Sequence, residues 1–191
     1  KTSTSQGMLS YQSGVEISNS IIKNSNTGLY LSGDNVKVKN CLIYDSNFGL
    51  RFTGTNGFFY NCTYANNATA VYLDAKSSTL KNSIFTDNTT DMSSSGLGVS
   101  QTTYSVTDLS QSSSGMPADQ SNKFSQTFVF SNSVNKDFHL LNTDDSAKDK
   151  GVDLSVDPNF PFSDDIDGQN RTNPWDMGPD EIIKITSIPE T

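Results

Sequence analysis

Histidine occurs once in these 191 residues, tryptophan once and cysteine twice. With His139 as the sole histidine, a zinc centre is not expected. Two cysteines leave the redox compartment open. Charge is also scarce, at 18% of residues, and apolar residues reach only 33%. Such a chain suits neither a helical bundle nor a charged disordered tail. No apolar run approaches the roughly 18 residues of a membrane span. Clustered Lys and Arg are missing as well, which argues against nucleic acid and anionic membranes as partners. No leader peptide is visible, since the chain opens with the polar stretch from Lys1 to Gln6; a secreted protein looks the same once its leader is gone.

What remains is mostly Ser, Thr, Asn and Gly, a composition suited to many short strands joined by tight polar turns. The length allows one domain with a substantial core. The net charge of −8 is uneven: Asp137 to Glu181 carries twelve acids against Lys148, Lys150 and Arg171, so the rest is near neutral.

A strict period organises the first half. Asn19, Asn40, Asn61 and Asn82 are spaced by 21 residues, as are Asn24, Asp45, Asn66 and Asp87. Gly33, Gly54 and Ala75 keep the step, and so do the apolar series Ile17, Val38, Phe59, Leu80 and Ile22, Ile43, Tyr64, Phe85. Within one copy Val36-Lys37-Val38-Lys39 alternates as a strand does, Asn40 interrupts, Leu42-Ile43-Tyr44 resumes, and Leu50-Arg51-Phe52 forms a third strand after a turn. Three strands and three turns per copy exclude helical repeats of similar length. Stacked copies place equivalent residues about 4.8 Å apart, the interstrand distance of a sheet. The asparagines then form a structural ladder, because stacked amides both donate and accept and Asn tolerates a left-handed corner.

The pattern Val-x-Val-x-Asn-Cys-x-Ile resembles the repeat of right-handed parallel β-helix proteins, the pectate-lyase-like superfamily, from Val15 to about Met92. That resemblance implies an all-β, single-stranded right-handed parallel β-helix with coils at 15–35, 36–56, 57–77 and 78–92 onward. Residues 93–191 are expected to supply irregular final coils, an acidic loop-rich segment packed on the helix and a terminal strand at Ile182-Ile183-Lys184-Ile185-Thr186, all within one domain. Short strands are expected at 102–106, 127–130 and 137–140. The order Asp137-Phe138-His139-Leu140, then Asp165-Ile166-Asp167-Gly168-Gln169-Asn170-Arg171, then Asp176-Met177-Gly178 is similar to the closing segment of secreted bacterial β-helix surface proteins. This similarity implies an extracellular or cell-surface location, and no particular activity.

Candidate sites stand beside plain structural alternatives. Tyr30, Arg51 and Tyr72 share one outward repeat position. Such a stripe stacks on sugar rings, or is simply a stable cation–π stack. Cys41 and Cys62, one coil apart and inward, are close enough for a disulfide, with buried free thiols the favoured alternative. Asp164, Asp165 and Asp167 are candidate Ca²⁺ ligands, with turn capping and pairing with Arg171 the favoured alternative. No cofactor beyond such a Ca²⁺ is expected. Ile21, Leu42, Thr63 and Ile84 form an outward stripe that needs a cover, which the segment from Ser93 onward is expected to supply.

Lyases of the resembled superfamily hold Ca²⁺ with carboxylates and use Arg or Lys as the base. Here the coils carry one arginine, Arg51, and Asp45 and Asp87 are separated by Asn66, so no catalytic set is assigned. The expected function is a non-catalytic extracellular module with a structural, adhesive or self-assembling role at a cell surface. The alternatives are a carbohydrate-binding module and a polysaccharide lyase-like enzyme. Expected partners are copies of the chain, by coil stacking or strand exchange, or a polysaccharide.

Overall fold

The computed structural model describes residues 5–74, 77–95 and 99–182, which form a parallel β-solenoid of about five turns. In chain order the strands are β1 (Gln6–Ser10), β2 (Glu16–Lys23), β3 (Thr27–Leu31), β4 (Lys37–Tyr44), β5 (Phe48–Phe52), β6 (Gly57–Tyr60), β7 (Thr63–Ala65) and β8 (Thr69–Leu73). They continue as β9 (Ser77–Lys81), β10 (Ile84–Thr86), β11 (Thr90–Ser94), β12 (Val99–Thr103) and β13 (Val106–Thr107). One sheet runs β1-β3-β5-β8-β11, and every pairing in it is parallel. The second sheet wraps round a corner, so that β2 and β4 are continuous while later coils split into β6 and β7, then β9 and β10.

The corners explain the asparagines. Asn19, Asn40, Asn61 and Asn82 have φ of 48°, 50°, 48° and 52°, and Asn24, Asp45, Asn66 and Asp87 lie between 53° and 56°. This left-handed region costs an L-residue roughly 1–2 kcal/mol, least for Asn and Asp, whose short side chains bond locally. Each coil therefore places Asn or Asp where the chain turns. Glycine has a different task at Gly54, where an added Cβ would lie 2.1 Å from the carbonyl oxygen of Gly33. The neighbouring turns pass too closely there for any side chain. The third member of that series, Ala75, lies outside the described residues.

Register follows the period. Ile17 pairs with Val38, Val38 with Phe59 and Phe59 with Leu80, all facing a core with Leu29, Leu50, Phe52 and Phe85. Fully burying each such side chain contributes about 1.5–3 kcal/mol. Two boundaries differ from expectation. The solenoid starts before Val15, because Gln6–Ser10 adds a strand with Met8 opposite Leu29. Pairing of Leu80 with Thr102 and Ile84 with Val106 makes the last full step 22 residues, one longer than the others. That extra residue hides the coil from a 21-residue search.

One end of the stack is capped. A single helical turn, α1 (Gln111–Ser114), and Gly115 lead Met116 over the core, while Lys123 pairs with Val106. The expected strand at 127–130 is reduced to β14 (Phe130–Asn132), antiparallel to β15 (Asp137–Leu140). The remaining chain, to Ile182, runs irregularly along the outside of the wrapped sheet. It buries Tyr60 under Leu154, Phe160 and Trp175, Ile84 under Leu140 and Met177, and Leu42 under Phe138. The expected cover thus exists but is incomplete. Leu42, Thr63 and Ile84 are buried, whereas Ile21 in the first coil is 60% exposed. Of the terminal strand expected at 182–186, residues 183–186 lie outside the described residues.

Candidate functional site

The outer face of the first sheet assembles the aromatic stripe. Strand register sets Tyr30 beside Arg51 and Arg51 beside Tyr72. The Arg51 guanidinium lies 5.5 Å from the Tyr30 ring centre and 5.4 Å from that of Tyr72, and it bonds Asp74 at 3.2 Å. Tyr11 meets Tyr30 edge-on at 6.2 Å, and Phe48 meets Tyr72 edge-on at 5.6 Å. The result is a continuous surface of four rings, exposed at Tyr11 and half-buried at the other three, with one cation between Tyr30 and Tyr72. Tyr11 and Phe48 were not anticipated. Tyr11 falls before the recognised repeat, and Phe48 occupies a position that is Thr in the neighbouring coils.

Beside this face, the corner preceding β3, β5 and β8 opens into a groove of about 540 Å³ lined by Asn24, Asp45, Asn47, Asn66, Asp87 and Thr89. Its floor includes Ser25, Ser46 and Asn67, members of a polar column that continues to Asn88 and that the repeat pattern did not single out. There the Asn67 amide NH₂ donates to the Ile43 carbonyl and the Asn88 side-chain oxygen. Asp45 is held by Lys136 at 3.0 Å, and Asp87 lies beyond Asn66.

The asparagine column does more than turn corners. Asn40 Nδ2 donates to Asn19 Oδ1 at 3.4 Å, and Asn82 Nδ2 to Asn61 Oδ1 at 3.2 Å. Each also donates to a carbonyl of the C-terminal segment: Asn19 to Asp165, Asn40 to Asp164, Asn61 to Gly178 and Asn82 to Val152. The column is therefore the rail on which that segment docks. Arg171 locks it. The buried guanidinium donates to Asn40 Oδ1 and to the carbonyls of Gly178 and Pro179, pairs with Glu181 at 3.3 Å and lies over Trp175.

The three aspartates considered for Ca²⁺ are not brought together. Asp164 is paired with Lys39. Asp165 is buried and caps its own turn, its carboxylate accepting from the backbone N–H of Asp167, Gln169 and Glu181. Asp167 faces elsewhere, with Oδ2 3.5 Å from His139 Nε2. His139 projects from β15 on the side opposite Phe138, and its Nδ1 bonds Asp137, which raises the imidazole pKa. Asp180 is adjacent, its carboxyl pushed up to about 6 mainly by burial. Alternation along Asp137-Phe138-His139-Leu140 signalled an outward His139, but nothing in the sequence indicated which acids it would meet.

Cys41 and Cys62 are buried free thiols. Each donates to the carbonyl two residues back, Lys39 and Tyr60 respectively, as Ser20, Ser83 and Ser105 do in the same column. The cysteines stand in for serine, and burial pushes the Cys62 thiol well up.

Among the described residues no helix is long and apolar enough to cross a membrane. Comparison with curated proteins and with solved structures returned no match. A family model described as a right-handed beta helix region matches residues 2–144 of the 191. With that match and a parallel solenoid of about five turns, the chain belongs to the right-handed β-helix family.

Proposed function

We propose that the chain is a non-catalytic adhesive module, working outside the cell or at its surface, that holds a polysaccharide on the outer face of β3, β5 and β8. The single observation that carries this is the Tyr30–Arg51–Tyr72 stack, extended by Tyr11 and Phe48. Rings placed one coil apart on a rigid sheet offer apolar faces to the C–H faces of sugar rings. Arg51 donates to hydroxyls, and Asp74 fixes its orientation. The adjoining Asn-rich groove adds amide donors and acceptors, the remainder of a sugar site's needs. A neutral or mildly acidic polysaccharide fits one arginine better than a polyanion does.

The same stack also serves the fold, since an arginine between two tyrosines stabilises three adjacent strands. A glycan array run with the parent chain and a Tyr30→Ala/Tyr72→Ala variant separates the two roles. Loss of a specific glycan signal by a variant that remains folded supports adhesion; an identical binding profile removes it. Absorbance of unsaturated uronate product, with and without Ca²⁺, tests the lyase alternative on the same glycans.

Self-assembly is a second reading, favoured by β2. This eight-residue strand pairs with β4, and its other edge has no strand partner among the described residues. An open edge recruits another strand unless it is covered. Coil stacking or strand exchange between copies would bury it together with the exposed Ile21. Size-exclusion chromatography and electron microscopy across concentrations decide this, and a strict monomer rules it out.

A further inference from the structure

The geometry points to a divalent-cation site formed by His139, Asp167 and Asp180, of the kind that takes a borderline metal such as Zn²⁺. One ligand atom from each of the three lies within 4.8 Å of the other two. They come from three separate pieces of chain, the strand β15, the turn after Asp165 and the segment after Gly178. Sequence spacing alone would not associate them.

Two features distinguish this group from an acidic surface patch. First, the imidazole is already oriented: Nδ1 is engaged by Asp137, which leaves Nε2 directed at Asp167. A carboxylate on the far ring nitrogen is the usual support of a metal-binding histidine, fixing its tautomer and raising its basicity. Nε2 and Asp167 Oδ2 stand 3.5 Å apart, too far for a good hydrogen bond. Secondly, the loops that carry the acids are tied to each other and to the solenoid. Ile166 N–H donates to the Pro179 carbonyl at 2.8 Å, and Arg171 donates to the same carbonyl at the same distance. Asp165, capping the turn, positions Asp167. The ligand-bearing backbone is thus rigid, while the His139 and Asp167 side chains, 52% and 48% exposed, remain able to adjust. Around a tetrahedral ion with bonds near 2.0–2.1 Å, ligand atoms stand about 3.4 Å apart, so small rotations of those two side chains suffice.

The donor set selects the ion class. One imidazole and two carboxylates suit Zn²⁺ or Mn²⁺, whereas Ca²⁺ prefers six to eight oxygens. The three residues line a pocket of about 240 Å³ with Ile21, Leu42 and Phe138. Lys136 also lines it, but its ammonium is bound to Asp45. With three protein ligands, a remaining coordination position would open onto that pocket. A bound ion would also pin β15 to the two C-terminal turns, joining chain segments that are 28 and 13 residues apart in sequence, from 139 to 167 and from 167 to 180.

The test is calorimetric titration of Zn²⁺ into the chelator-stripped full chain, with thermal melting in parallel. The variants are His139→Gln, Asp167→Asn and, as a distant acidic control, Asp87→Asn. Because His139 and Asp167 are exposed, both variants are expected to fold, which far-ultraviolet circular dichroism verifies. The expected result is one saturable site, a higher melting temperature with Zn²⁺, and an affinity loss of about tenfold or more in H139Q and D167N with D87N unaffected. Absence of saturable binding overturns the site. So does unchanged affinity in H139Q and D167N, or an equal loss in D87N.

Discussion

The Arg171 guanidinium donates from Nη2 to Oδ1 of Asn40, 131 positions earlier in the chain, at 3.1 Å. Through this bond the aperiodic C-terminal segment grips a repeat position of the solenoid. Arg171 is buried, and its partners besides Asn40 are Glu181 and a set of backbone carbonyls. Removing it takes one donor from each of those acceptors and leaves the buried Glu181 carboxylate without its cation. Arg171→Ala should therefore cost roughly 3–5 kcal/mol in urea unfolding. Arg171→Lys should recover only part, since one ammonium cannot reach a fork of carbonyls. Parent-like stability in R171A would show that the asparagine column and the apolar contacts hold the segment without it.

Asn61 combines a left-handed corner with amide bonds to Asn82 and to the Asp176 and Gly178 carbonyls. Asn61→Gly keeps the backbone freedom and loses the bonds; Asn61→Ala loses both. We expect alanine to be worse than glycine by about 1–2 kcal/mol. Both should lie below the parent by at least the roughly 1–3 kcal/mol of unsatisfied buried groups. Equal stabilities for the two variants would mean that backbone conformation contributes nothing at this corner.

Asp91 is fully buried inside the solenoid, accepting from Thr107 and Asn88, and burial raises its pKa from 3.8 to about 6. Between those values the folded chain keeps a proton that the unfolded chain has released. Stability from this residue is therefore fully present below about pH 4 and falls as pH rises towards and through 6. Asp91→Asn should gain stability at pH 7, on the order of 2–3 kcal/mol, and flatten the profile between pH 4 and 6. Asp180 shifts in the same direction, so a residual slope should persist. A parent profile that rises across that window would contradict the assignment.

Both thiols are buried and bonded in the manner of their serine neighbours. Ellman's reagent should therefore label neither on the native chain, and both should react on the timescale of unfolding. Cys62→Ser should fold and lose no more than about 1–2 kcal/mol, because Ser83 already occupies the equivalent place. Rapid native labelling would indicate a core more open than the packing of Cys41 and Cys62 implies.

The glycosylation-like triplets Asn67-Ala68-Thr69 and Asn88-Thr89-Thr90 illustrate how pattern and place diverge. Both asparagines are buried in the polar column beneath the groove, with side chains bonded to the preceding coil at Ile43 and Tyr64. An identical triplet on a loop would be accessible. In a solenoid the residue's phase within the coil decides its exposure.

That phase was legible because a repeat converts sequence spacing into spatial spacing by one constant step. Asn19, Asn40, Asn61 and Asn82 recur every 21 positions, so a column, a corner and a register followed without coordinates. The same rule put Tyr30, Arg51 and Tyr72 on one stripe and Cys41 next to Cys62. Beyond Met92 that rule lapses. A 22-residue step shifts the last coil, and the chain from 110 onward follows no period that maps one residue onto another. Only the tertiary structure decided that Asp164 meets Lys39, that Asp165 caps a turn, that Asp167 turns to His139, and that Arg171 reaches Asn40. These partners are chosen by how an irregular segment minimises unpaired carbonyls and buried charge against a finished surface. Such a choice depends on every contact made at once, and no local pattern encodes it.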